Sequence, residues 1–336
     1  MLAYHYFIHR IVITSFLLIL NLGVYAQYGA TSVKEVEEIK KRILLVGLEE
    51  EDNAIILDLE GSAERIANYR ASIEGKNKAM KNAVDSFWEF SAEVIYKPFS
   101  EAKKIVKKEK DKYAFLHYGE EILNGSVVYG YKGSSTDSYC YFYKGGKLEY
   151  DYNSRHSFKS YNVYTLHIEL PSSNAITVFL SKSCPTLTDV QLGLIQIQYT
   201  FDYILTNPTS SIRAMMMKQL SINSSELKDK TLLIDGSDMM NRYTKEEITK
   251  SYPYAFKIGN YFDIEKAVSQ RDTNSVVINF ARFNDTERIF YILNAGNGKI
   301  YASFTNDAYH YGGGESVFRA MYYPGILLTD IDKIVD

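Results

Sequence analysis

Residues 294 to 299 read NAGNGK, a glycine-rich loop ending in lysine, which is one sequence form of a phosphate cradle. That cradle needs Gly, four residues, then Gly-Lys-Ser/Thr, because backbone amides ring the phosphates and the hydroxyl holds Mg²⁺. Here Leu293 stands where the first glycine belongs and Ile300 where the hydroxyl belongs. Asn297-Gly298 between two alternating runs is instead a dipeptide that supplies positive φ to a hairpin turn. The stretch is therefore expected to join two strands, with Lys299 as a turn residue.

A second glycine-rich run, YHYGGGES at 309 to 316, invites comparison with the oxyanion loops of esterases. Those loops accompany a Gly-x-Ser-x-Gly elbow, and none occurs in this chain. A hydrolase would have to assemble its site from distant residues, with His310, Asp235 and Asp238 as contributors. Asp235 and Asp238 follow the run TLLIDG, and Glu49, Glu50, Glu51 and Asp52 follow RILLVGL in the first half. Acids at strand ends are weak candidates for holding Mg²⁺, and ordinary charge at a helix start is the favoured account of them.

The other chemistry-bearing types are sparse. His117, His156, His167 and His310 lack the i, i+4 spacing of a helical zinc pair, and no cysteine lies near a second one. His117 and His167 fall inside strand-like runs, where a hydrogen-bonded structural histidine is the default. Cys140 and Cys184 are candidates for a disulfide in an exported chain, with two separate thiols as the alternative.

Tyrosine is the compositional oddity, with 29 residues against six prolines. In SYCYFYK the period of two puts Tyr139, Tyr141 and Tyr143 on one strand face, and Tyr150 and Tyr152 repeat the pattern beyond Gly145-Gly146. Such a face could stack sugars or meet a protein partner, because the ring is apolar and its hydroxyl tolerates water. The structural alternative is a face covered by the chain's own helix at 188 to 206. Lys103, Lys104, Lys107, Lys108 and Lys110 crowd one short helix. They read as the solvated side of a crossover helix, or as a surface that meets an anionic envelope polymer.

These residues must be positioned by a compact set of elements. Residues 1 to 10 end in His9-Arg10, an uncharged run follows to Tyr25, and Val24 and Ala26 precede Gln27 at signal-peptidase spacing. A signal peptide over residues 1–26, cleaved between Ala26 and Gln27, is expected. No later run is long and apolar enough to span a membrane. The full chain carries a net charge of −3, too acidic for a general nucleic-acid field. With 46% hydrophobic residues it is suited to a packed core.

Capping boxes at Ser32 to Glu35, Thr188 to Gln191 and Thr244 to Glu247 mark helix starts, and Ser100 is read as another cap. A helix from Ser62 to about Phe90 should be interrupted or bent near Gly75. Strand-like runs alternate with helices in both halves, so the fold class is α/β, with two small strand-helix units related by duplication. AKKIVKKEKDKYAFL in the first half aligns with IEKAVSQRDTNSVVI in the second. The first unit is placed at residues 32–206 with an antiparallel β extension and a closing helix. A linker follows at 207–229 and the second unit, with its hairpin, at 230–336. YKGGKLEY is read as the first unit's version of the NAGNGK hairpin. The expected function is a non-catalytic interaction or ligand-binding module of the cell envelope, periplasmic or secreted, without cofactor. Its partner would be an envelope protein or glycan.

Overall fold

The structure, a computed structural model, describes residues 32–124, 139–144, 147–152, 160–171, 176–181, 185–208, 219–239, 243–282, 287–307, 309–312, 319–322 and 325–335. The signal peptide, with Ala26 and Gln27, and the run SVVYGYK lie outside these residues.

Helix α1 (Val33–Lys41) starts at a capping box in which Ser32 and Glu35 satisfy each other's backbone N–H. Strand β1 (Ile43–Leu48) follows, then α2 (Asn53–Asp58). Helix α3 (Ala63–Phe87) runs unbroken through Gly75. Gly75 does not interrupt it, and a side chain at that position would face open space. Next come β2 (Val94–Pro98), α4 (Phe99–Lys108) and β3 (Tyr113–Asn124). Pro98, not Ser100, is the N-cap of α4. The free amides of its first turn are met from elsewhere, since Glu50 accepts from Ser100 N at 2.6 Å and from its hydroxyl at 3.1 Å.

Strands β4 (Tyr139–Lys144) and β5 (Lys147–Tyr152) form a separate antiparallel ribbon. The main sheet resumes with β6 (Ser160–Glu169) and β7 (Ile176–Phe179) and ends in helix α5 (Leu187–Thr206). The N-cap of α5 is Thr186, paired with Asp189. The expected Thr188–Gln191 box is displaced by two residues, and both of those side chains are buried inside the helix. Within the connection, residues 219–229 are structured: Asn223 is buried and donates to Ile300 O at 2.6 Å and to Tyr199 Oη at 3.1 Å.

The second half contains β8 (Thr231–Asp235), α6 (Lys245–Ser251), β9 (Phe256–Gly259), α7 (Tyr261–Ser269) and β10 (Ser275–Arg282). It continues with β11 (Glu287–Asn294), β12 (Ile300–Asp307), the two-stranded ribbon β13 (Tyr309–Gly312) and β14 (Arg319–Tyr322), and α8 (Leu328–Asp332).

The two main sheets have the same topology. One is ordered β2-β1-β3-β6-β7 and the other, read from its opposite edge, β9-β8-β10-β11-β12. In each the first three strands are parallel and the last two antiparallel. The equivalence holds residue by residue. Leu44 faces Val94 and Ala114, as Leu232 faces Phe256 and Val276. Phe115, His117 and Gly119 face Glu169, His167 and Thr165, as Val277, Asn279 and Ala281 face Leu293, Tyr291 and Ile289. This register matches β6–β7 with β11–β12. The ribbon β4–β5 is therefore an insertion between β3 and β6, and YKGGKLEY is not the counterpart of NAGNGK.

The helices distinguish the units. On one face of the first sheet α1, α3 and α5 enclose Leu44, Val46, Leu116, Leu166 and Ile168. On its other face α4 covers a smaller cluster, in which Leu45, Tyr113 and Phe115 meet Ala102 and Val106. In the second sheet α7 takes the place of α4, but there α5 reaches across from the first unit, adding Leu192 and Ile195 to Val277, Ile289, Tyr291 and Leu293. Helix α5 is thus apolar on two sides, with Val190, Leu194, Ile197 and Phe201 facing its own unit. Each such buried side chain contributes roughly 1.5–3 kcal/mol before the cost of ordering it.

The NAGNGK turn closes the same junction. Gly298 has φ +69, and a Cβ there would overlap the carbonyl of Ile195 on α5. Lys299 pairs with Glu226 at 2.7 Å.

Candidate functional site

Acids follow the first strand of each unit, and the structure gives each a structural partner. Glu49 forms an ion pair with the buried Lys76 of α3, whose Nζ donates to Tyr164 Oη at 2.7 Å and lies 4.7 Å above that ring. Asn77 fixes the Glu49 backbone, accepting from its N–H at 2.8 Å and donating to its carbonyl at 2.9 Å. Glu50 serves α4, Glu51 binds Arg70 at 3.1 Å, and Asp52 caps α2 through Ala54 N. In the second unit Asp235 is buried and its Oδ1 accepts from Ser237 N at 2.8 Å, the geometry of an Asx turn. The Asp238 carbonyl accepts from Ile326 N at 2.7 Å. Among the described residues no group of three His, Cys, Asp or Glu could hold a metal ion. Asp235 and His310 stand on different sheets, with His310 opposite Met321 in the β13–β14 ribbon.

The structure brings together two histidines that sequence spacing keeps apart. His117 and His167 are cross-strand neighbours on the α4 side of the first sheet, their rings parallel within 3° and 5.3 Å apart. Gly119 makes the room: a Cβ there would overlap both the His167 ring and the Thr165 hydroxyl. His167 Nε2 is 2.7 Å from Thr165 Oγ1 and its Nδ1 3.2 Å from Thr177 Oγ1, so both ring nitrogens are occupied by hydroxyls. Burial, reinforced by His117, pushes the His167 pKa down to about 4 against the pull of Glu169. His117 Nδ1 donates to Tyr118 O at 2.7 Å, while its Nε2 faces Glu169 Oε1 at 3.7 Å. That contact holds the Glu169 carboxyl below the usual carboxylate range, although burial opposes it. The equivalent row in the second unit, Asn279, Tyr291 and Ser303, lies beneath the first unit: Asn279 accepts the Ser181 hydroxyl. In the sequence only the strand-like runs around His117 and His167 hinted at this row, because strand pairing across more than forty intervening residues is not a local signal.

The tyrosine residues lie on the inserted ribbon. Its register sets Tyr139 opposite Tyr152, Tyr141 opposite Tyr150 and Tyr143 opposite Leu148. Residues directly opposite share a face, so all five tyrosines occupy one side of the ribbon. The backbone of β4 lies against α3 and α2. Cys140 stands opposite Asp151, and Cys184 lies outside the described residues.

Lys103, Lys104, Lys107 and Lys108 on α4, and Lys110 in the turn that follows it, are all exposed. Lys103–Lys107 and Lys104–Lys108 are like charges at i, i+4, each pair destabilising a helix by about 0.2–0.5 kcal/mol. Position in the last turn of the helix favours Lys107 and Lys108 through the macrodipole, but offers nothing to Lys103 and Lys104.

No protein-family model, curated protein sequence or solved structure matches the chain. No helix among the described residues is long and apolar enough to cross a membrane.

Proposed function

We propose that the chain is an exported cell-envelope protein that binds a protein or glycan partner, without catalysis, through the tyrosine side of the β4–β5 ribbon. One observation supports this reading above the rest. The ribbon interrupts the first unit between β3 and β6, whereas the second unit passes from β10 to β11 by a short connection with the same sheet register. The fold therefore closes without the ribbon, and an insertion that carries five tyrosines in one register supports a role in binding rather than in the frame. Tyrosine suits such a surface because it offers a large apolar ring at small entropic cost, with a hydroxyl that bonds water or ligand.

The test uses the mature chain, residues 27 to 336, immobilised and exposed to detergent-solubilised envelope. A double substitution, Tyr141→Ser with Tyr143→Ser, should abolish specific capture and leave the melting temperature within 2–4 °C, about the shift that 1 kcal/mol produces in a chain of this size. Capture that survives the substitution, or none by the parent chain, refutes the ribbon as the binding surface. For export, the mass of protein recovered outside the cytoplasm should correspond to Gln27 as first residue. A retained residue 1 in that fraction contradicts cleavage.

A further inference from the structure

We propose that the α4 face of the first unit is a second interaction surface, separate from the ribbon, and that it binds a linear polyanionic glycan bearing carboxylate or phosphate groups. The internal repeat provides the comparison. Residues 97 to 112 align without a gap with 259 to 274, since β2–α4–β3 and β9–α7–β10 match in spacing and register. The first segment holds seven lysines against three acids; the second holds Lys266 and Arg271 against Asp263, Glu265 and Asp272. The same crossover thus forms with a slightly acidic segment, and the scaffold does not require a basic one. A merely solvated helix face mixes both signs.

The acids within the basic segment are already matched. Lys97 pairs with Glu101 at 2.8 Å, Lys112 with Glu109 at 3.2 Å, and Arg42 with Asp111 at 3.9 Å. Lys103 lies 5.5 Å over the Phe99 ring and contributes to the field at Glu169. Lys104, Lys107, Lys108 and Lys110 have no carboxylate within ion-pair distance among the described residues. Lys104, Lys107 and Lys108 stand at i, i+3 and i+4, on adjoining turns of one helix side.

A protein with net charge −3 that concentrates unpaired cations on one helix has a local field suited to anions. The face carries no large exposed apolar side chain; among the described residues those lie at Leu57, Ile222, Tyr254, Ile258, Phe262 and Val335. That absence favours a hydrated polymer over a lipid surface, which peripheral proteins usually enter with apolar residues. The neighbouring row of His117, His167, Thr177 and Glu169 extends the polar ground beside the helix, in the position that α5 covers in the second unit.

The experiment measures binding of the mature chain to polygalacturonate and to heparin, with phosphatidylglycerol vesicles and a single-stranded oligonucleotide as alternative anions. Saturable binding to the polysaccharides that weakens steeply between 50 and 300 mM salt is expected. Lys104→Gln, Lys107→Gln, Lys108→Gln and Lys110→Gln together should weaken it at least tenfold with unchanged circular dichroism. Lys245→Gln with Lys250→Gln, on α6, should leave it unchanged, and the Tyr141→Ser/Tyr143→Ser variant should bind the polysaccharides as the parent does. No polysaccharide binding, equal loss in the α6 variant, retention in the α4 variant, or tighter binding to vesicles or oligonucleotide overturns the proposal. Loss of ribbon capture with retained polysaccharide binding separates the two surfaces.

Discussion

Acidification should weaken the first unit at one identifiable residue, His167. Its neutral ring is enclosed by strands β3, β6 and β7, with hydroxyls on both nitrogens and His117 stacked against it. The folded protein holds its pKa at about 4 against 6.5 for the free side chain. Folding therefore prefers the neutral ring, and this preference is fully expressed above pH 6.5, where the unfolded chain is also neutral. As pH falls from 6.5 towards 4 the unfolded chain gains a proton that the folded chain refuses, and stability drops. Two and a half pH units correspond to a limit of about 3 kcal/mol, of which about 2 kcal/mol is lost by pH 5. Glu169 contributes in the same direction, but chiefly below the carboxylate range, so the interval from pH 7 to 5 isolates the histidine. Urea unfolding of the parent and of His167→Gln at both pH values provides the assay. Glutamine retains a donor and an acceptor for Thr165 and Thr177 but does not titrate. The difference between pH 7 and pH 5 should shrink by about 2 kcal/mol in the variant. Identical pH dependence in the two proteins, or an NMR titration placing His167 at 6.5 or above, refutes the reasoning.

Three further perturbations probe the frame. Replacing Arg288 by Met removes the cation from a pair in which both side chains are 1% exposed, and should cost about 3–5 kcal/mol in urea titrations because Asp330 stays buried. A loss below 1 kcal/mol would show that Asn306 and the Leu327 amide suffice for that carboxylate. Lys76→Met should cost about 2 kcal/mol by depriving Glu49 and Tyr164 of a charged donor, and an unchanged unfolding midpoint would contradict it. Gly298→Ala should lower stability by more than Gly61→Ala: both have positive φ, costing an alanine about 1–2 kcal/mol, but only Gly298 abuts α5. Equal losses in the two variants would mean that the turn does not press on the helix.

The duplicated order of strands was legible because it rests on local signals: short apolar runs, capping boxes at Ser32 and Thr244, and the alignment of residues 102–116 with 264–278. Assigning hairpins to the repeat was not, because YKGGKLEY and NAGNGK look alike as turns, while only strand pairing reveals which one lies in the sheet. The start of α5 was misplaced for a related reason. Thr186–Asp189 and Thr188–Gln191 both fit a capping pattern, and tertiary burial of Thr188 and Gln191 decides between them. The second apolar side of α5 was hidden as well, since Leu192 and Ile195 are needed only once another unit is present to receive them. The tyrosine period was visible and its register follows from it. The stacking of His117 on His167 was not, because it depends on strand pairing and on the missing side chain of Gly119.

Helix α5 has a consequence for how the chain is made. Synthesis delivers residues 32 to 206 first, and everything needed to close the first sheet is then available except a cover for the Leu192 and Ile195 side of its last helix. Until β10, β11 and β12 follow, that side is bare apolar surface on an otherwise finished unit. A first unit that closes before the second is made therefore presents the Leu192 and Ile195 side of its last helix to solvent.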